Sequence, residues 1–364
     1  MSGLTYYERD TCRLCLGSLS PAFSLPPTPI ANAFSEWPDS DAARFPLDLL
    51  QCDTCGNVQM KLVFRGLFED YKYVTPGSRH QADLAAYLWQ RFPSAESALE
   101  IGSNNGSLVE ALRLKGFRCT GVDPAAPQRP GQIRDYFTAK WARRWDRTVD
   151  LVIANNVLAH IDDLEDVFRG IKRVLTSRGA VVFEVQYLVD LIESGKFDMI
   201  YHEHMNYHTL GALSRFLTRM GFVLVEWQHL PEHGGSIRVT AMRTGTSAVL
   251  PDEPLCWDRL RTTLTKVHCG LHAAIARHGP LVAFGASAKA CTLIHCTEIA
   301  PHITYCVDDT PEKQGRYLPG TDILVRPVSV LRDEPVLLTA WNYEGIIRER
   351  ISNRLINPFG VPCC

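Results

Sequence analysis

A three-part α/β protein is predicted by three features of the chain. Two C-x2-C pairs, Cys12/Cys15 and Cys52/Cys55, stand near its head; short apolar runs then alternate with amphipathic stretches; and a second strand, glycine turn and helix pattern begins near Leu281. With 364 residues there is room for two or three units of the usual size, about 100–200 residues each. The formal charge of −2 offers no broad basic field for nucleic acid or an anionic membrane, so a small molecule is the expected partner. No stretch reaches the roughly 20 apolar residues that span a bilayer, and the amino terminus lacks a signal peptide's apolar core, so a soluble cytoplasmic protein is expected. Of the 12 cysteines, those beyond the two pairs are scattered without a disulfide framework, in keeping with a reducing compartment. Cys363 and Cys364 read as an exposed tail.

The head of the chain needs a staple. Its stretch Leu25-Pro26-Pro27-Thr28-Pro29 has fixed φ angles that favour extended loop over helix. Each C-x2-C places two thiolates on one tight loop, and two such loops supply the closed tetrahedral shell of a structural zinc site. Cys12, Cys15, Cys52 and Cys55 are therefore the expected ligands, with four reduced thiols as the alternative. A change of character near Tyr73 and a linker-like stretch from Gly245 to Pro254 divide the chain into 1–72, 73–244 and 245–364.

In the middle part, residues 98–101, 117–122, 151–154 and 180–185 read as buried strands, with helices at 108–114 and 164–175. This alternation implies a parallel sheet with helical crossovers. A helix at 213–220 follows, and 222–227 with 236–242 form an antiparallel edge. The first strand ends in Glu100-Ile101-Gly102 and passes through Ser103-Asn104-Asn105-Gly106 into a helix. Without side chains, Gly102 and Gly106 let a ligand lie against the backbone. Asp123, about twenty residues on, ends the next strand, where an acidic side chain accepts hydrogen bonds from both ribose hydroxyls. The spacing is not the dinucleotide G-x-G-x-x-G, and no glycine-lysine pair makes a phosphate loop. A nucleoside cofactor without pyrophosphate fits, and S-adenosylmethionine is the natural candidate. Asn155, Asn156 and His160 follow the later strand at the same carboxyl edge, within reach of adenine or the methionine moiety. For the asparagines a helix cap with bonded loop amides is the plainer alternative.

The window from Phe197 to His208 is dense in groups that exchange or position protons. His204 is the first choice as general base because imidazole titrates near neutrality, with Glu203 or Tyr201 orienting it or holding a developing oxyanion. His202 and His208 compete for that role. A metal reading stands beside it, since His202, Glu203, His204 and His208 are all ligand types, although the window is not a helical H-E-x-x-H.

The third part opens with a long helical pattern at 257–277 and repeats the strand, turn and helix theme at 281–289, with further strands at 304–307 and 336–340. The turn Gly285-Ala286-Ser287-Ala288-Lys289 brings backbone N–H groups at a helix start toward an anion, and Lys289 adds a positive charge. Tight strand-to-helix packing alone is the alternative. This turn lacks the full dinucleotide fingerprint and a clear downstream ribose acid, which argues against a nicotinamide oxidoreductase.

In this order the motifs resemble the sugar C-methyltransferases of deoxysugar biosynthesis. The resemblance covers nearly the whole chain. It rests on the two cysteine pairs, Pro29-Ile30-Ala31-Asn32-Ala33-Phe34, the Glu100 to Gly106 turn, Asn156-Val157-Leu158-Ala159-His160, Tyr201-His202-Glu203-His204, His233-Gly234-Gly235-Ser236, Gly285 to Lys289, and Lys313-Gln314-Gly315-Arg316-Tyr317-Leu318-Pro319-Gly320. The family often reads Asn-Asp-Gly where this chain has Asn104-Asn105-Gly106, and its members run longer after Trp341-Asn342-Tyr343. The resemblance implies a class I S-adenosylmethionine methyltransferase sheet of Rossmann-like form, flanked by a zinc-binding domain and a second Rossmann-like α/β domain. It implies a nucleotide-linked ketosugar, dTDP in the first instance, between the cofactor domain and the third domain. His204 would remove the proton α to the ketone. Tyr201 and Glu203 would place the sugar or assist, and Tyr71 or Tyr73 would reach in from the zinc domain. Ser287 and Lys289 would meet the diphosphate, and Arg316 and Tyr317 would line the sugar. The rival enzyme reading is an O- or N-methyltransferase of another small metabolite. A nucleic-acid zinc module is opposed by the lack of interleaved basic and aromatic residues.

Overall fold

Two cysteine knuckles shape the first unit of the computed structural model, which describes residues 5–68, 79–245 and 249–361. Its strands are β1 (Tyr6–Glu8), β2 (Leu19–Thr28), β3 (Phe45–Cys52), β4 (Val58–Met60) and β5 (Leu62–Phe64). β2, β3 and β4 pair antiparallel, and β1 pairs with β5. Pro26 and Pro27, expected in a loop, lie inside β2. That strand is the edge of its sheet, where a missing N–H costs no ladder bond, and its register shifts between Leu25 and Thr28.

The second unit runs α1 (His80–Arg91), β6 (Ser97–Ile101), α2 (Ser107–Leu114), β7 (Arg118–Asp123), β8 (Gln132–Arg134), α3 (Ala139–Arg144), β9 (Val149–Asn155), α4 (Leu164–Val174), β10 (Leu175–Gln186), α5 (Leu188–Glu193), β11 (Asn206–Tyr207), α6 (Leu210–Met220), β12 (Val223–Leu230) and β13 (Ser236–Met242). Seven strands form one sheet in the order β12-β13-β10-β9-β6-β7-β8. The five from β8 to β10 are parallel, and β13 is antiparallel to both neighbours. β13 takes the inner place because it is buried along most of its length, whereas β12 alternates and serves as the edge. β11 leaves this unit to pair with β4, so the segment between α5 and α6 is sewn into the first sheet.

The third unit runs α7 (Trp257–His278), β14 (Leu281–Phe284), α8 (Ala288–Cys296), β15 (Ile303–Val307), β16 (Val325–Arg326), β17 (Val336–Leu338), α9 (Glu344–Arg350) and β18 (Leu355–Ile356). Its sheet is wholly parallel, in the order β16-β15-β14-β17-β18. One apolar core joins Phe23, Leu47 and Met60 of the first unit to Leu188 and Leu191 of α5 and to the strands of the third. A second core fills the space beside the seven-stranded sheet. The linker is pinned too. Glu253 accepts from the Tyr187 hydroxyl (2.8 Å) and from Leu210 N (2.9 Å) and Gly211 N (3.1 Å), which start α6 and have no partner within the helix. Among the described residues, no helix is long and apolar enough to cross a membrane.

Candidate active site

The four expected metal ligands converge. The Sγ atoms of Cys12, Cys15, Cys52 and Cys55 all lie within 4.8 Å of one another, with Cys12 and Cys55 at 3.5 Å and Cys15 and Cys52 at 3.4 Å. Four thiolates about 2.3 Å from one tetrahedral zinc stand roughly 3.8 Å apart, so the cluster fits the ion. Backbone N–H groups of Leu14 and Thr54 point at Cys12 Sγ (3.3 Å) and Cys52 Sγ (3.4 Å), which suits thiolates. Arg13, between two of the ligands, is buried and donates to Asp162 Oδ1 (2.8 Å) and Met60 O (2.8 Å). The knuckle thereby holds the loop that carries His160.

The carboxyl ends of β6, β7 and β9 frame the expected cofactor crevice, at the point where strand order reverses. Gly102 takes φ +75°, and a Cβ there would stand 2.6 Å from Val157 Cγ2. Gly102 N donates to Val122 O (2.8 Å). Asp123 accepts from Asn104 N (3.0 Å) and Ala125 N (2.7 Å); a carboxylate has about four acceptor positions, which leaves capacity for ribose hydroxyls. Glu100 is buried, its Oε2 has no partner among the described residues, and burial, with Asp123 nearby, pushes its carboxyl up to about 8. This orphaned polar atom and the turn at Gly102, where no Cβ has room, fit a nucleoside cofactor. Asn105 Oδ1 accepts from Ser107 N (3.1 Å) and Ser107 Oγ (2.6 Å) at the start of α2. Asn156 N donates to Glu184 O (2.8 Å), and its amide meets Asn155 Oδ1 (3.0 Å). Sequence reasoning missed Gln132 on β8, whose Oε1 accepts from Ser103 Oγ (2.7 Å). No motif marks it, since it reaches the crevice through the third strand of the sheet.

Residues 197–208 are gripped from three sides. Asp198 Oδ2 accepts from Trp341 Nε1 (2.6 Å), and Ile200 O from Thr292 Oγ1 (2.8 Å), both in the third unit. His202 Nε2 donates to Pro46 O (3.2 Å) among the rings of Phe45 and Phe64 in the first unit. Glu203 Oε1 accepts from Asn32 N (3.1 Å) and Asn32 Nδ2 (2.9 Å). Met205 N donates to Ala159 O (2.7 Å), and Asn206 Nδ2 to Ile161 O (2.8 Å), in the second unit.

Within this grip, His204 Nδ1 faces Met199 O (3.0 Å), which can only accept, so Nδ1 carries the proton. The lone pair on Nε2 meets the Tyr201 hydroxyl at 2.7 Å. His160 Nδ1 donates to Glu203 O (2.7 Å), and its ring lies 5.0 Å from that of His204, so His160 joins the cofactor crevice to this pair. Burial lowers the His160 imidazole, keeps His202 and His208 neutral at about 4, and raises the Glu203 carboxyl. His202 is thus a packed side chain. His208 is enclosed, with neither ring nitrogen bonded among the described residues. The metal reading of His202, Glu203, His204 and His208 is corrected: among the described residues only the four cysteines gather ligand atoms at metal spacing. Tyr71 and Tyr73 lie outside the described residues, as do Cys363 and Cys364. Asn32 stands in the Pro29 to Phe34 motif, and nothing local marks it as a site residue, because its partner Glu203 is distant in sequence.

In the third unit, Ser287 caps α8 by accepting from Ala290 N (3.4 Å). A downstream acid, not discerned in the sequence, is present: Asp308 at the end of β15 accepts from Ala286 N (2.7 Å) and Thr310 N (2.8 Å). Lys289 is buried, donates to Asn342 Oδ1 and stands over the Trp341 ring at 4.6 Å. Tyr317 N donates to Ser35 O (2.9 Å), tying this unit to the first, and Arg316 on the same loop is exposed.

Three family models match in chain order: "Putative zinc binding domain" over residues 12–65, "Methyltransferase domain" over 76–227 and "C-methyltransferase C-terminal domain" over 257–356. C-methyltransferase NovU of Streptomyces niveus is 29% identical, across 92% of this chain and 90% of its own length. Among solved structures, an S-adenosylmethionine-dependent methyltransferase from Clostridium acetobutylicum is 13% identical with a TM-score of 0.38, covering 47% of this chain and 94% of that one. One from Archaeoglobus fulgidus is 16% identical with a TM-score of 0.38, covering 45% and 94%.

Proposed function

We propose that the chain is an S-adenosylmethionine-dependent C-methyltransferase whose acceptor is a nucleotide-linked ketosugar, dTDP-linked in the first instance, processed in cytoplasmic deoxysugar biosynthesis. Residues 1–72, 73–244 and 245–364 are taken as its zinc, cofactor and substrate domains. The observation that carries this reading is the Tyr201 and His204 pair, held at 2.7 Å on a segment bonded to all three units and flanked by His160.

Glu100, Gly102, Asn104, Gly106, Asp123, Asn155, Asn156 and His160 would hold the cofactor, and the four cysteines a structural zinc. S-adenosylmethionine, when bound, supplies a methyl group made electrophilic by its sulfonium. The chain's own residues do the rest. Met199 O fixes the His204 tautomer, so Nε2 is the basic atom. The Tyr201 hydroxyl turns from Nε2 to the ketone oxygen as substrate arrives; Nε2 then takes the α proton while the phenol supports the enolate oxygen. Glu203, held by Asn32, fixes the backbone between them, and its second carboxyl oxygen faces the sugar. Ser287 and Lys289 meet the diphosphate, and Tyr317 the sugar's outer face. The carbanionic carbon is thereby held in line with the methyl group.

Incubation with labelled S-adenosylmethionine and a panel of nucleotide ketosugars, read by mass and carbon NMR, tests this. A new carbon-carbon bond is expected. A methoxy or N-methyl signal would reject it.

A further inference from the structure

Lys196, in the turn before the catalytic segment, places its ammonium 4.3 Å from the Trp341 centroid and 3.7 Å from that of Phe359. Lys289 stands at 4.6 Å from the same Trp341 ring. Neither ammonium stands at salt-bridge distance from a carboxylate among the described residues: Lys289 bonds the neutral Asn342 amide and Lys196 contacts the two rings, while both feel the charge of Asp198 from farther off. The one acid nearby, Asp198, spends Oδ2 on Trp341 Nε1, and its Oδ1 is buried without a partner. Two cations and at most one anion therefore share a poorly solvated place. Such an imbalance is expensive unless a ligand supplies negative charge. Burial accordingly lowers both lysines, Lys289 to about 8.

The position is that of a ligand. Trp341 and Asn342 follow β17, and Lys289 is in the first turn of α8, which follows β14. These two strands are neighbours at the reversal point of the third sheet, where open α/β sheets bind ligands. The α8 N-terminus adds its partial positive charge.

We propose that Lys196 and Lys289, on the Trp341 ring, form a two-cation site for the diphosphate of the substrate, with Lys196 its contribution from the cofactor unit. This deepens the nucleotide-sugar reading and rests on it for the source of the diphosphate. Because Lys196 immediately precedes Phe197, binding there also ties the catalytic segment to the third unit.

The test uses the zinc-loaded full chain and inorganic pyrophosphate. Calorimetry should show pyrophosphate binding that Lys196→Met and Lys289→Met each weaken about tenfold to a hundredfold, the loss of one charge-assisted bond, while Lys196→Arg retains it. Adenosylhomocysteine affinity should stay at the wild-type value in all three. On the wild-type chain, pyrophosphate should also slow acetylation of Lys196, read by mass spectrometry, which needs no variant to fold. Unchanged acetylation of Lys196, or equal pyrophosphate affinity in Lys196→Met, would overturn the site. Protection of Lys196 with no methyl transfer to any nucleotide ketosugar would uphold the site and remove the substrate reading. Methyl transfer with Lys196 unprotected would do the reverse.

Discussion

The Gly102 and Gly285 crevices rest on the same five-strand parallel order, β8-β7-β6-β9-β10 in one sheet and β16-β15-β14-β17-β18 in the other. The likeness extends to single atoms. Gly102 N donates to Val122 O and Gly285 N to Val307 O, each at 2.8 Å. A Cβ on Gly102 would meet Val157 after the fourth strand, and one on Gly285 would meet Ala340 after the fourth strand. Asp123 and Asp308 each tie the turn through one backbone N–H and the following loop through another. The difference lies in what comes next. After Gly102 four residues pass before α2 begins, whereas only two pass between Gly285 and α8, which is capped by Ser287 and carries Lys289 in its first turn. The acid at Glu100 has Ala283 as its counterpart, two residues before each glycine. A longer turn with a buried acid leaves room for an uncharged sugar and base against the backbone; an immediate helix start with a lysine presents a positive end to phosphate. On the proposed reading, one scaffold would be turned to two ligands by turn length and two side chains.

Cutting what lies between the crevices should have the largest effect. His204→Ala is expected to lower methyl transfer about 10²- to 10⁴-fold, the usual range for a general base, while adenosylhomocysteine affinity by calorimetry stays unchanged. Near-normal turnover would take His204 out of the mechanism. Next come the glycines themselves, because both have positive φ, +75° and +107°. Gly102→Ala should weaken adenosylhomocysteine about tenfold and spare pyrophosphate, and Gly285→Ala should do the opposite, from the roughly 1–2 kcal/mol cost of that backbone region plus the clash. Equal losses of both ligands in both variants would break the division of labour.

A smaller effect is expected from the first unit. Cys52→Ser should lower zinc content and drop the melting temperature by at least about 5 °C, as for a loss of a few kcal/mol. The cofactor crevice should suffer more than the third unit, because Arg13 braces Asp162 beside the His160 loop. Full zinc content in that variant would reject the assignment. A last test concerns Glu100. Folding raises its carboxyl from 4.5 to about 8, so the folded chain keeps a proton that the unfolded chain releases. Stability is greatest below that window and falls as pH rises through it. Glu100→Gln, which cannot titrate, should flatten the melting temperature between pH 5 and 8. A slope equal to that of the native protein would show that Glu100 is not the group responsible, and Ala283 predicts no such slope from the third unit.

Much of the fold could be read locally. Glu100-Ile101-Gly102 ends a strand because apolar residues run into a glycine, and the sequence distance to Asp123 reflects a short helix and return strand. The four cysteines announced a common ligand through spacing alone. Asp308 was overlooked for want of a fingerprint around it, and Pro26 and Pro27 were misjudged because only sheet position tells an edge strand from a loop. Gln132 and Lys196 carried no signal, and Asn32 and Trp341 only a place in a motif, since each matters through a partner far along the chain.

By itself, the amino-acid order determined most of the element types, the metal-binding chemistry, the glycine turns and the cluster of proton-handling groups at 197–208, since these depend on side-chain type and on neighbours a few residues away. Tertiary structure alone decided that β11 would join the zinc unit's sheet, that His204 would offer Nε2 rather than Nδ1, and that two lysines from different units would share one indole ring. Those outcomes depend on long-range packing, where a hydrogen bond's partner is chosen by which surfaces the cores bring together.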